Sequence, residues 1–409
     1  MDDSMKIKKK HKGIKILMTV IVVIAIIIVG GAFYLATHTQ IVIGTIQKGA
    51  MVNGKPLNSY EPLYDPVNGE KENGQYLISE INYGSDYPNS FLDITYPDDD
   101  LEADRPTLFY FHGGGFFAGS KNMGDPLAVS EATYLIDDLC AKGYNIVNVD
   151  YVLVPEGHFP DPLIQANQAF AHIMEHGKEY HLNTDKIVLM GSSAGAIMVS
   201  QIGTVVSNSE YAKLLGIEPV LKKEQISAIV VDDAPLIYED FSLACKILVG
   251  NYVKGSIFLS KSELERYDCI PYMTADYPPA IMLGSEYRHD MNVMHEQLDA
   301  VTVENDLIDP LAEKGEEKQS LILTKLCHVL FYGFKRFIAY IMFDATCIVG
   351  SSFFIYPEID EKTSEDSMSF VNPRRNFLPC FCEFDKAGVI YCNKAFIFEN
   401  VHCTAYGWS

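Results

Sequence analysis

Ser193 stands in the middle of Gly191-Ser-Ser-Ala-Gly195, between the apolar run Lys186-Ile-Val-Leu-Met190 and the helix-forming run Ala196-Ile-Met-Val-Ser-Gln201. A β-branched run, a tight turn and a helix are what a nucleophile elbow needs in succession, with the middle serine held out at the tip. Gly191 and Gly195 lack a Cβ, so the chain can fold back sharply and strand and helix can approach closely. Ser193 is the candidate nucleophile, and Ser192, one residue off the tip, points elsewhere. The same five residues occur in ordinary Ser/Gly loops, so the motif needs its context. That context begins 81 positions earlier, where the buried-looking run Thr107-Leu-Phe-Tyr-Phe111 ends in His112-Gly-Gly-Gly-Phe116. Successive glycines after a strand, Gly113 to Gly115, let backbone N–H groups face a reacting oxygen without side chains in the way. Acyl transfer needs such donors, because negative charge builds on the carbonyl oxygen and one lost donor costs about 10²–10³ in rate.

Both motifs require a scaffold that brings strand ends together. Ser90-Phe-Leu-Asp-Ile-Thr-Tyr96 reads as a strand stopped by Pro97 and an acidic turn. Residues 129–142 have a helical pattern, Tyr144-Asn-Ile-Val-Asn-Val-Asp150 reads as a strand, and residues 163–180 as an amphipathic helix. Alternation of this kind implies an α/β fold: a mostly parallel central sheet with helices on both faces. Active sites in such sheets lie at the carboxyl ends of the strands, where both motifs fall. Residues 211–225 and 238–272 follow with mixed patterns and read as cap or pocket elements. Asp232 and Asp233, after the apolar run 226–231, read as a solvated strand end, because no His or Cys accompanies them at ligand spacing.

The chain resembles the α/β-hydrolase carboxylesterases of the hormone-sensitive-lipase-like group. Four segments carry the resemblance over residues 75–340: His112-Gly-Gly-Gly-Phe116, Tyr151-Val-Leu-Val-Pro-Glu-Gly-His-Phe-Pro160, Gly191-Ser-Ser-Ala-Gly195 and Cys327-His-Val-Leu-Phe-Tyr-Gly-Phe334. It implies Ser193 as nucleophile, the amides of Gly114, Gly115 and Ala194 as oxyanion donors, and a structural role for His112. The base implied is His328, which follows the strand-like Ser320-Leu-Ile-Leu-Thr324, in the order Ser, acid, His. For the acid, Pro279-Ala-Ile-Met-Leu-Gly284 is the expected strand, yet Tyr287 stands where the family carries Asp, three residues after the glycine. A small insertion restores the pattern at Asp290, with Glu286 as the alternative. The reaction implied is cleavage of a small carboxylic ester through an acyl-enzyme, with no metal or cofactor. An amidase or peptidase would use the same machinery, and a hydrolase fold with a displaced acid could serve instead as an inactive surface-binding module.

The remaining sequence bears on location. Residues 17–36 carry no charge and match a hydrocarbon core of roughly 30 Å, and six lysines between Lys6 and Lys15 precede them. The expectation is one N-terminal transmembrane anchor, with residues 1–16 cytoplasmic and the hydrolase region extracytoplasmic by the positive-inside rule. Secretion after signal cleavage is the alternative, although a usual signal core is shorter, about 7–15 residues. Residues 37–74, rich in turn signals, read as a stalk, 75–343 as the hydrolase domain and 344–409 as a Cys-rich extension of unassigned structure. With 32 basic against 54 acidic residues, net −22, the chain lacks the clustered cations that nucleic acid requires. Residues 337–356 are apolar apart from Asp344; burying that carboxylate in lipid would be expensive, so the last family helix is preferred over a second span. Four cysteines are scattered to residue 327 and five crowd the end; the odd total of nine fixes no pairing, and Cys380 and Cys382 lack zinc-site company.

Overall fold

A computed structural model describes residues 2–49, 51–52, 55–60, 65–121, 132–309, 383–384 and 390–391. The chain divides into two units, residues 1–341 and 342–409. In the second, the described residues form an antiparallel pair, Glu383–Phe384 with Ile390–Tyr391.

In the first unit a short antiparallel pair, β1 (Met51–Val52) with β2 (Lys55–Pro56), precedes the main sheet. That sheet has nine strands: β3 (Asn68–Glu70), β4 (Tyr76–Asn82), β5 (Phe91–Tyr96), β6 (Pro106–Phe111), β7 (Asn145–Val149), β8 (Asn183–Ser192), β9 (Ile226–Asp232), β10 (Ala280–Leu283) and β11 (Asn305–Ile308). Their spatial order is β11-β10-β9-β8-β6-β7-β5-β4-β3. From β11 to β7 all neighbours are parallel, and β5, β4 and β3 are added antiparallel at one edge. The expected mostly parallel sheet is present.

Period-two alternation decides which residues meet which helix. Phe109 and Phe111 of β6, Val147 and Val149 of β7 and Leu189 of β8 point into one core, shared with α4 (Asp161–His176) and α5 (Ala194–Ser207). Leu108, Tyr110, Ile146, Val188 and Met190 point the other way, against α3 (Ala132–Ala141). Helices therefore cover both faces. The strands next to α5 are apolar on both sides because both sides are buried.

The apolar N-terminal segment lies within α1 (Asp2–Thr37), of which Met18–Thr37 is long and apolar enough to cross a membrane and is not buried by the rest of the protein. After His38 the chain continues at once as α2 (Thr39–Gly49), in the region expected to be a stalk. This helix is docked. Ile43 and Ile46 pack with Leu57, Phe117, Ala118 and Val154, while the buried Gln47 donates through Nε2 to the carbonyls of Phe117, at 2.9 Å, and Val154, at 2.7 Å.

Candidate active site

β8 ends at Ser192 and α5 begins at Ala194, which leaves Ser193 alone in the turn with φ 52° and ψ −110°. A non-glycine residue in that region is strained, and such strain persists only where its surroundings impose it. Here they do. A Cβ on Gly195 would lie 2.0 Å from the Phe111 carbonyl oxygen, and one on Gly191 would lie 2.2 Å from the Gly195 carbonyl oxygen. The Ser193 amide donates to the Asp232 carbonyl at 2.9 Å, tying the turn to the end of β9.

Beside this turn, β6 runs out into the glycine loop. Gly114 (φ 107°) is turned so that its carbonyl accepts from Phe117 and Ala118, and a Cβ there would sit 2.1 Å from the Ala118 carbonyl oxygen. His112 is fully buried, stacked on Tyr151 with ring centroids 4.2 Å apart. Its Nδ1 lies 2.7 Å from the Gly113 carbonyl, which can only accept, so the proton is on Nδ1. Burial drives its pKa down to about 4, so the ring is neutral. Tyr151 donates to the His112 carbonyl at 2.6 Å and holds the loop from behind.

The two turns share a small pocket, open to solvent on one side, in which Gly115, Phe116, Ser193, Ala194 and Ile197 meet Cys245, Leu248 and Val249 of α7 (Leu243–Lys254), with Pro235 and Tyr287 completing the wall. Apart from Ser193, the Cys245 thiol and the Tyr287 hydroxyl, the side chains of the lining are apolar, as suits a small acyl group. Burial pushes the Cys245 thiol up to about 12, which holds it protonated. Among the described residues no three His, Cys, Asp or Glu side chains stand where they could hold a metal ion.

Asp290 lies in the first turn of α9 (Arg288–Ala300), 5% exposed, and its Oδ1 accepts from the amides of Leu236 and Ile237, both at 2.7 Å. Burial raises its pKa, while those two amides favour the charged form. Glu286 sits in the turn between β10 and α9. Tyr287, at the family's usual acid position, lines the pocket wall instead. His328 lies outside the described residues, as do Cys327 and the Cys-rich extension from 344 apart from the short pair named above. Cys140, Cys245 and Cys269 are free and buried.

Two groups escaped the sequence reading. Asp233, expected in solvent, accepts from the amides of Ser285, Glu286 and Tyr287 and from the Ser285 hydroxyl, and so organises the turn that leads to Asp290. Lys121, at the far end of the glycine loop, is 4% exposed and pairs with Glu80 and, at 3.2 Å, with Asp93, while its amide donates to Asp150 at 2.6 Å. Nothing in a lone Gly-Ser-Lys marks a lysine for burial; the signal is spread over three distant carboxylates.

The sequence pattern of the BD-FAE family matches residues 92–301, just over half of the chain, and spans both glycine motifs and Asp290. The chain belongs to the BD-FAE family. An acetyl esterase of Salmonella paratyphi B is 33% identical over 94 residues, 23% of this chain and 27% of that protein. An esterase of Gibberella moniliformis is 32% identical over 150 residues, 36% of this chain and 42% of that protein. The chain thus spans about a quarter to two fifths of the curated relatives it matches. Among solved structures, esterase B of Lactobacillus rhamnosis superposes with a TM-score of 0.50 at 16% identity, over 65% of this chain and 90% of that one. At that identity the likeness speaks to the fold of this BD-FAE member: an α/β hydrolase.

Proposed function

We propose that this BD-FAE family protein is a carboxylic ester hydrolase acting through an acyl-enzyme on Ser193. The observation that carries the reading is the single pocket in which the strained Ser193 turn, the Ala194 amide and Gly115 of the glycine loop meet. Ser193 attacks the ester carbonyl, His328 takes its proton and returns it to the leaving alcohol, and Asp290 orients His328 and stabilises its imidazolium. The amides of Gly114, Gly115 and Ala194 hold the oxyanion, and water releases the acid in the second half-reaction. Membership of the family and the esterase relatives favour an ester over an amide, and the small apolar pocket favours a short acyl group. The resemblance to the hormone-sensitive-lipase-like group points the same way.

We infer further that α1 is a retained anchor. The residues that end it are built into the folded domain: the Ala36 carbonyl accepts from Ile257 at 2.9 Å, and the Thr39 amide donates to the Gly255 carbonyl at 2.9 Å. Signal cleavage near Ala36 would cut through this contact.

Turnover of p-nitrophenyl acetate by the full chain tests the reading. Ser193→Ala should abolish it, and Asp290→Asn should lower kcat by roughly 10²–10⁴ by upsetting the His328 tautomer. A folded parent with no turnover, or Ser193→Ala at parental rate, would sink it; an unaffected Asp290→Asn would move the acid to Glu286.

A further inference from the structure

The pocket and the membrane helix are joined by a rigid connection with no spacer. Only His38 separates α1 from α2, and its Nδ1 lies 3.0 Å from the Tyr34 carbonyl with the two rings stacked 4.2 Å apart. On the domain side, Thr39 donates through Oγ1 to Asn251 at 3.0 Å in a buried contact, and Asn251 donates to Gln40 at 2.8 Å. The Phe33 ring of α1 meets the Phe258 ring, centroids 5.8 Å apart. These partners all sit at the end of α7 or just beyond it. From Gly255 back to Val249 and Leu248 in the pocket wall is about 9–11 Å along that helix, at 1.5 Å per residue. The headgroup layer outside the hydrocarbon is about 5–8 Å deep on each side. The pocket wall therefore stands no more than about 9–11 Å above the hydrocarbon boundary, just outside the headgroups with α7 upright and within them as α7 tilts.

The surface beside this junction is apolar where a soluble domain would be polar. Phe258, 52% exposed, meets Phe33 of α1, and Ile41, 44% exposed, lies in the first turn of α2 with its amide on the His38 carbonyl at 3.0 Å. Aromatic side chains in that position settle at the boundary between hydrocarbon and water. The occupant of this patch is the bilayer that holds α1, because the patch continues directly from the span.

We propose that the domain rests on the bilayer surface through Phe258 and Ile41, and that its substrates are amphiphilic esters held in that surface, carrying a short acyl group that fits the pocket beside Ser193. This deepens the esterase and anchor readings and rests on both. The bilayer would supply substrate at high local concentration to a pocket only two helical turns away, which a flexible stalk would not do.

Two measurements on the full chain in phosphatidylcholine vesicles test it. The first needs no activity: with the sole tryptophan removed (Trp408→Phe) and Phe258→Trp introduced, emission should be quenched by dibrominated lipid. Emission unaffected by brominated lipid would overturn the surface contact. The second inserts a Gly/Ser spacer of about twenty residues, reaching roughly 25 Å, between Thr37 and His38, which leaves α2 docked. The spaced chain should keep its p-nitrophenyl acetate rate and lose about fivefold or more on a dioleoyl lipid bearing an acetyl ester in its headgroup, because the effective concentration falls. Equal loss on both esters, or none on the lipid, would overturn the substrate class. A parent that hydrolyses neither ester, quenched or not, would overturn the esterase reading and this proposal with it.

Discussion

Gly195 and Lys121 show two ways in which single residues sustain the site. A methyl group on Gly195 would collide with the backbone of Phe111 and His112, neither of which can move without disturbing the sheet. Gly195→Ala should therefore lose activity almost completely and lower the melting temperature, whereas Gly69→Ala, whose Cβ meets nothing within 4 Å on a backbone outside the left-handed region, should retain activity. Lys121→Met leaves Glu80, Asp93 and Asp150 buried without their cation, a loss expected to cost about 3–5 kcal/mol in denaturant unfolding. The same cluster makes stability depend on pH. Burial raises the Asp150 pKa from 3.8 to about 7 against the pull of Lys121, and raises Asp93 in the same direction. A folded group with a raised pKa holds a proton that the unfolded chain has released, so its stabilising contribution is complete below about pH 4 and lost as pH rises through about 7. Lys121, also raised from its usual value, stays charged throughout that window. The parent melting temperature should fall by a few degrees between pH 5 and pH 8, and Asp150→Asn, whose Oδ1 can still accept from the Lys121 amide, should flatten that slope; a parent and variant with equal slopes would exclude Asp150 as its source.

Among the elements, those with local signatures were legible in the sequence and those defined by a distant partner were not. The elbow is readable because the turn's demands fall on Gly191, Ser193 and Gly195 within five residues, and the glycine loop for the same reason. The sheet followed from alternation of strand and helix patterns. By contrast, α2 has only eleven residues, two of its apolar anchors are Ile43 and Ile46, and its partner α7 begins about two hundred residues later, so residues 37–74 read as a stalk. Asp233 read as solvated for a related reason: its three amide partners come from a turn about fifty residues away. The acid was only half legible, since Tyr287 stands at the family's usual position and the sequence leaves Asp290 and Glu286 as candidates. The docking of α2 has a measurable cost attached. Gln47→Ala strands the carbonyls of Phe117 and Val154 in a buried site, and should destabilise by about 1–3 kcal/mol; a change under about 0.5 kcal/mol would mean that α2 is not held there.

At the scale of the molecule, the chain couples an acidic α/β hydrolase unit to an N-terminal apolar helix without an intervening tether. If α1 is retained, intact mass of protein extracted from expressing membranes should include residues 17–36, and alkaline washing should not release it. A mature chain beginning near Thr37 would refute the anchor while leaving the esterase chemistry untouched. The central claim, that Ser193 is an activated nucleophile, is tested most directly by reacting the folded full chain with a fluorophosphonate and mapping the adduct by mass spectrometry. A single adduct on the peptide containing Ser193, absent from Ser193→Ala, is the predicted result. A folded chain that takes no label, or takes it on another serine, would contradict it.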